Sequence, residues 1–203
     1  MKLHWSPRSP FVRKVMIVAH ELGLADRLDC VRTVAATTKP HPELMRDNPL
    51  SKIPTLVLDD GTILYDSRVI CEYLDGLHAG RKLFPIETKA RMTALRRQAL
   101  GDGALDFLLL LRNERERAQP SPVHVAAYSA KKAAVLDAFE READDLAGAP
   151  FDIGHIGIGS ALCYLDFRYA SEPWRDTHPK IAKWHADFCA RPSVRATEPV
   201  DDS

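Results

Sequence analysis

Two serines, each followed by proline, stand in "SPRSPFVRKV", residues 6–15: Ser6 before Pro7 and Ser9 before Pro10. A serine that attacks as a nucleophile needs a general base within hydrogen-bond reach, and no base partner for either hydroxyl is in view. The Ser9–Pro10 pair is also an ordinary helix start, with serine as N-cap and proline at the first helical position. A second candidate is "SKIPTLVL", residues 51–58, where the Ile53–Pro54 bond immediately precedes a strand pattern. Taken alone, that proline is a trans strand-starter, because cis is a minority state for X-Pro bonds. A third is the Asp66–Ser67 pair in "YDSRVICEYL", which taken alone caps a helix.

Other chemistry is less well provided for. The four cysteines, Cys30, Cys71, Cys163 and Cys189, form no C-x-x-C and no zinc-type spacing, and the eight histidines are scattered. No metal is therefore expected. "GHIGIG" (154–159) lacks the dinucleotide-binding spacing and follows no strand, so its glycines are assigned to close helix packing. "GDG" (101–103) interrupts a helical pattern, either as a kink beside a cleft that exposes Asp102 or Asp106, or as a plain irregularity.

The elements that must hold these residues are legible in the pattern. "KLHW" reads as a strand, and from Pro10 the apolar residues recur with helical period until Gly23. "LDCVRTV" (28–34) alternates as a second strand, and "HPELMRDNP" is a short helical turn. "TLVLDDGTIL" (55–64) is a hairpin around Asp-Asp-Gly, followed by a helix through Leu77. After "AGRKLFP" (79–85) every pattern is helical, including an apolar "HIGIGSALCYLDFRYA" that must be buried. Pro122 and Gly148 bracket one of these helices as its first residue and its C-cap.

With 203 residues and 45% hydrophobic content, the chain can build a real core in one large domain or two small ones. Its 28 basic and 28 acidic residues balance in both halves, which argues against nucleic acid or an anionic membrane surface as a partner. "FLLLL" (107–111) is far too short to span a bilayer, and the chain opens on a strand pattern rather than a leader. A cytoplasmic protein is expected.

"SPFVRK", "NPLSKIPTL" and "YDSRVICEYL", in this order and spacing, resemble the N-terminal domain of the glutathione S-transferase superfamily. The helical half resembles its C-terminal domain, and the likeness is to short bacterial members with a serine at the start of the first helix. The resemblance implies an α/β plus all-α fold: a thioredoxin-like glutathione-binding domain at 1–80, a linker at 81–87 and an all-helical domain at 88–203 lining the electrophile site. It implies that Ser9 is the activating hydroxyl, where redox-active relatives carry cysteine. It implies a cis-proline at Pro54, with the Ile53 backbone offered to the cysteinyl part of glutathione. Asp66 and Ser67 would hold the γ-glutamyl end, and Lys52 would sit near the glycine carboxylate.

One departure from the family pattern stands out. At the start of the buried helix Asp152 is a good N-cap, but His155 replaces the acidic partner of a capping box, a change that bears on fold stability and not on catalysis. The expected activity is activation of glutathione, a co-substrate, as a thiolate that attacks a small hydrophobic electrophile in a detoxification reaction. The electrophile is expected against Trp5, Pro7 and Arg8 and the long helix at Asp102, Asp106 and Phe107, in a homodimer. Two alternatives stand beside it: a noncatalytic binding or regulatory module of the same fold, and a glutathione-dependent reductase, disfavoured because position 9 is not cysteine.

Overall fold

A computed structural model describes residues 1–77 and 79–202, and among them the chain divides into two compact units. The first comprises Met1–Phe84 together with Pro192–Ser203, the second Pro85–Arg191.

The first unit is a small sheet with helices, the thioredoxin-like arrangement. Its elements are β1 (Lys2–Trp5), α1 (Pro10–Glu21), β2 (Asp29–Arg32), α2 (Pro42–Asp47), β3 (Thr55–Val57), β4 (Ile63–Leu64) and α3 (Ser67–Leu77). Strand order is β2-β1-β3-β4, with β1 and β2 parallel and the β1–β3 and β3–β4 pairs antiparallel. Leu3 and Leu56 face each other in register and are fully buried, as are Val15 and Val18 of α1 and Ile70 and Leu74 of α3. α1 ends in a Schellman motif: Gly23 takes φ +66°, its N–H reaches the His20 carbonyl, and the Leu24 N–H reaches Ala19. The hairpin turns at Gly61, φ +86°.

The segment after residue 191 returns to this unit. In α8 (Pro192–Arg195), the Val194 carbonyl accepts from the Arg13 guanidinium at 3.3 Å, and Ser193 donates to Glu21. Residues 88–203 thus do not all belong to the helical unit, because these contacts with α1 outweigh continuity along the chain.

The second unit is helical: α4 (Thr88–Arg115), α5 (Pro122–Gly148), α6 (Ile153–Arg168) and α7 (Pro179–Cys189). α6 is buried along its whole length from Ile153 to Leu165. α4 runs through "GDG" as one continuous helix, so the helix is not interrupted there. The glycine there serves the helix crossing instead: a Cβ on Gly101 would lie 2.4 Å from the Gly157 carbonyl group of α6. Gly157 in turn faces the Gln98 backbone, so the two helices touch main chain to main chain. Gly148 is the last helical residue and Ala149, in extended conformation, is the C-cap.

The histidine at the start of α6 closes the capping box instead of opening it. Asp152 Oδ1 accepts the Gly154 and His155 N–H groups at 2.9 and 3.2 Å. His155 Nδ1 lies 3.2 Å from the Asp152 N–H and 2.7 Å from its Oδ1, while Nε2 donates to the Leu146 carbonyl at 3.0 Å. A neutral ring accepts the N–H, and a charged ring donates to the carboxylate. Either state secures the helix end, so the capping box is complete without an acidic partner.

Candidate functional site

Sheet register brings the candidate residues of the first unit to one end. β1 and β4 run the same way and β3 runs against both, so the C-terminal ends of β1 and β4 and the N-terminal end of β3 coincide. The residues that follow β1 (Ser6), precede β3 (Ile53 and Pro54) and follow β4 (Asp66 and Ser67) therefore all leave the sheet at this end. Ser9 follows three residues after Ser6, where its N–H donates to the Ser6 carbonyl at 3.2 Å.

Ser9 is the N-cap of α1, with Pro10 at the first helical position; its Oγ accepts the Val12 N–H at 3.3 Å. A hydroxyl that accepts in this way retains its own hydrogen to donate. The first turn of α1 carries no acid, so the positive end of the helix dipole stands uncompensated there and favours an anion. Ser6 is buried, its Oγ accepting the Arg8 N–H at 3.4 Å.

The loop before β3 is held by a residue the sequence reading passed over. Asn48, almost fully buried, donates to the Lys52 carbonyl at 3.1 Å and to Thr55 Oγ1 at 2.9 Å, and accepts the Leu50 N–H at 3.0 Å. Thr55 Oγ1 donates to the same Lys52 carbonyl at 2.8 Å. Asn48 itself follows Asp47, which binds Lys2 at 2.6 Å and His4 at 2.8 Å on β1. These contacts fix the backbone of residues 48–55 against the sheet. Among the described residues no chain group takes up the Ile53 N–H or C=O, so that edge remains open to an added strand. The Ile53–Pro54 bond is cis, as is Tyr65–Asp66, and the Lys52 side chain is exposed. The polar clue in the sequence was Asn48 before Pro49, a buried side chain where a loop should be solvated.

At α3, Asp66 is the capping residue: its carboxylate accepts the Arg68 N–H at 2.9 Å and its carbonyl the Ile70 N–H at 3.1 Å. Asp66 is exposed, whereas Ser67 is 2% exposed, so a ligand approaching this helix end meets Asp66 first.

The residues expected around an electrophile are placed unevenly. Trp5 and Pro7 are half-buried in the first unit. Arg8 is engaged by the acids near the chain's end, Asp201 at 3.6 Å and Asp202 at 3.1 Å, and Arg32 also binds Asp202 at 2.6 Å. The Arg32 hydrogen bond holds the Asp202 carboxyl below its ordinary value. In the second unit Asp102 is 1% exposed, Asp106 is exposed, and Phe107 lines an apolar groove of about 330 Å³ with Ala99, Leu100, Gly103, Ala134 and Val135.

Comparison with known proteins settles the family. Residues 8–77 match the glutathione S-transferase N-terminal domain and residues 123–187 the glutathione S-transferase C-terminal domain. A glutathione transferase family member from Pseudomonas fluorescens Pf-5, solved with bound glutathione, is 40% identical over 98% of this chain and 99% of its own, with a TM-score of 0.94. This chain belongs to the glutathione S-transferase family. A glutathione S-transferase from Methylobacillus flagellatus KT, also solved with glutathione, is 32% identical over 98% and 99% of the two chains, TM-score 0.87. Among curated proteins, the uncharacterized GST-like protein YibF of Escherichia coli is 29% identical over 98% of each chain. No helix among the described residues is long and apolar enough to cross a membrane.

Proposed function

We propose that this glutathione S-transferase binds glutathione at the sheet end that carries Ser9, the Ile53 backbone and the Asp66–Ser67 helix start, and promotes attack of its thiolate on a small apolar electrophile. The observation that carries the reading is the shared sheet end of these groups, in a chain alike over its full length to glutathione-bound relatives.

Each role follows from chemistry. The open Ile53 N–H and C=O would pair with the peptide backbone of glutathione. The α3 N-terminus would take the γ-glutamyl carboxylate on its N–H groups and the Ser67 hydroxyl, with Asp66 facing the ammonium. Lys52 would lie near the glycine carboxylate. Ser9 would donate its O–H to the sulfur while still accepting from Val12. A free thiol of pKa about 8.5 is only a few per cent ionised at neutral pH. Lowering it by about two units raises the thiolate fraction some twentyfold, but reduced basicity returns nearly tenfold of that in reactivity. Orientation of the sulfur by Ser9 must therefore supply most of the effect.

A homodimer belongs to the same reading, and the apolar α4–α5 groove at Phe107 and Ala134 supports it as a surface for a second copy. The capping bond from Val12 to Ser9 favours a second reading, a glutathione-binding module without catalysis, in which Ser9 only starts the helix. Calorimetry with glutathione and turnover of a generic aryl halide separate the two. Ser9→Ala is expected to lower kcat about ten- to a hundredfold with little change in Kd, and Ser67→Ala to weaken Kd by a similar factor. Binding without turnover in the wild type selects the module, and absence of binding refutes both.

A further inference from the structure

Two cysteines and a histidine far apart in the sequence meet inside the helical unit. His185 and Cys189 lie four residues apart on α7 and therefore share a face, and Cys163 meets them from α6. Cys163 Sγ is 3.3 Å from His185 Nε2, Cys189 Sγ is 3.4 Å from the same nitrogen, and the sulfurs are 3.9 Å apart. Cys163 and His185 are buried and Cys189 is partly exposed, which leaves a way in from solvent.

We propose that Cys163, Cys189 and His185 Nε2 form a zinc site that ties α6 to α7. With Zn–S near 2.3 Å and Zn–N near 2.05 Å, the edges of a tetrahedral site are about 3.8 Å between sulfurs and about 3.6 Å from sulfur to nitrogen. The observed triangle meets both within about 0.3 Å. Its circumscribed radius is about 2.1 Å, shorter than a Zn–S bond, so an ion bound to all three sits out of their plane with a fourth position to spare. That geometry suits tetrahedral zinc better than a flat trigonal ion such as copper(I).

The surroundings supply charge and orientation. Two thiolates balance a divalent cation. His185 Nδ1 faces Asp166 Oδ2 at 3.7 Å and the Arg175 guanidinium at 3.4 Å. Here the Arg175 guanidinium donates to Nδ1, and the Asp166 carboxylate stands outside hydrogen-bond distance. Metal on Nε2 would put the ring proton on Nδ1, so Arg175 would have to turn away and Asp166, itself held by Arg175 and by Trp174 Nε1 at 3.0 Å, would have to close in to accept it. Gly159 allows the approach of the helices, since a Cβ there would lie 2.3 Å from the Phe188 ring. Linear spacing shows the His185–Cys189 pair but not the site, because the third ligand comes from another helix.

The test uses the full chain, reduced and free of metal. Zinc alone is titrated in against a chromophoric chelator, bound metal is counted by mass spectrometry, and cobalt(II) reports thiolate ligation by its charge-transfer absorption. One zinc per chain, a cobalt–thiolate band, and loss of that band in Cys163→Ser and in Cys189→Ser are expected. Asp166→Asn should weaken zinc ten- to a hundredfold while keeping the band. Wild-type protein that yields all zinc to a micromolar-affinity chelator, or binds cobalt without the band, overturns the proposal. So does a Cys163–Cys189 disulfide in protein purified under reducing conditions. All three outcomes are read on the wild type, independently of how the variants fold.

Discussion

Gly101→Ala is the perturbation whose outcome the helix crossing dictates most directly. The added methyl carbon would stand 2.4 Å from the Gly157 carbonyl carbon and oxygen and 2.8 Å from the Ile158 nitrogen. Comfortable carbon contacts lie at about 3.5–4.0 Å, so α6 would have to withdraw from α4 by about 1 Å or more. The atoms struck are main chain of a helix buried on all sides, and no rotamer change relieves them. Overpacking of this kind costs about 1–3 kcal/mol, and rigid backbone puts this case at the upper end. Alanine returns about 1 kcal/mol of helix propensity over glycine. The net loss is then about 2 kcal/mol, which lowers Tm by about 4–8 °C for a chain of this size. Gly103→Ala, two residues on, meets nothing within 4 Å in its own chain and should there gain the propensity term alone, worth about 2–4 °C in Tm before any displacement of a second copy at the groove it lines. Thermal unfolding followed by far-UV circular dichroism reads both. A Gly101→Ala protein as stable as wild type would refute the close crossing.

His155→Ala should keep the Asp152 cap but lose its reciprocal bond to the Asp152 N–H and leave the buried Leu146 carbonyl without its donor, about 1–3 kcal/mol for the latter, with His155→Glu intermediate because it restores only the reciprocal bond; urea midpoints check the order. Hydrogen bonds from Lys2 and His4 hold the Asp47 carboxyl below its ordinary value. Its stabilisation is therefore complete above the unfolded pKa of about 3.9 and is lost as pH falls through the lower folded value. Asp47→Asn should accordingly be less stable than wild type at neutral pH, with the gap closing in acid; a gap independent of pH would contradict this. Sedimentation at micromolar concentration should show a species of about twice 22.7 kDa, reduced to one chain by Ala134→Glu in the apolar groove. A wild type that sediments as a single chain argues against the dimer.

The first unit was legible because its signals are local: Ser-Pro at a helix start, Gly23 at a helix stop, Asp-Asp-Gly between short strands. Each fixes a backbone conformation within a few residues, and the order of elements then fixes the sheet. What stayed hidden depends on contacts between distant segments. The role of Asn48 is set by where Lys52 and Thr55 stand around it, and that of Gly101 by a helix more than fifty residues away. Propensity reads glycine in a helix as a weak point, whereas packing makes it the point of closest contact. His155 was not legible as a capping partner because capping rules describe the acidic one, while imidazole offers an acceptor to the cap and a donor to Leu146 at once. The ion pairs of Arg8 stayed hidden in the same way, because the acids that bind it lie at the far end of the chain.

The return of α8 to α1 bears on how the protein is made. Arg13 and its acceptor Val194 are 181 positions apart, with the whole helical unit encoded between them. During synthesis the sheet and α1 emerge early, but the groups that close over Arg13 and Glu21 leave the ribosome only after every residue of α4 to α7. The helical unit is thus an insertion that must collapse while its host is still incomplete, and the early segment waits with one flank of α1 uncovered. Translation speed through residues 85–191 therefore sets how long that flank is offered to chaperones or to neighbouring nascent chains.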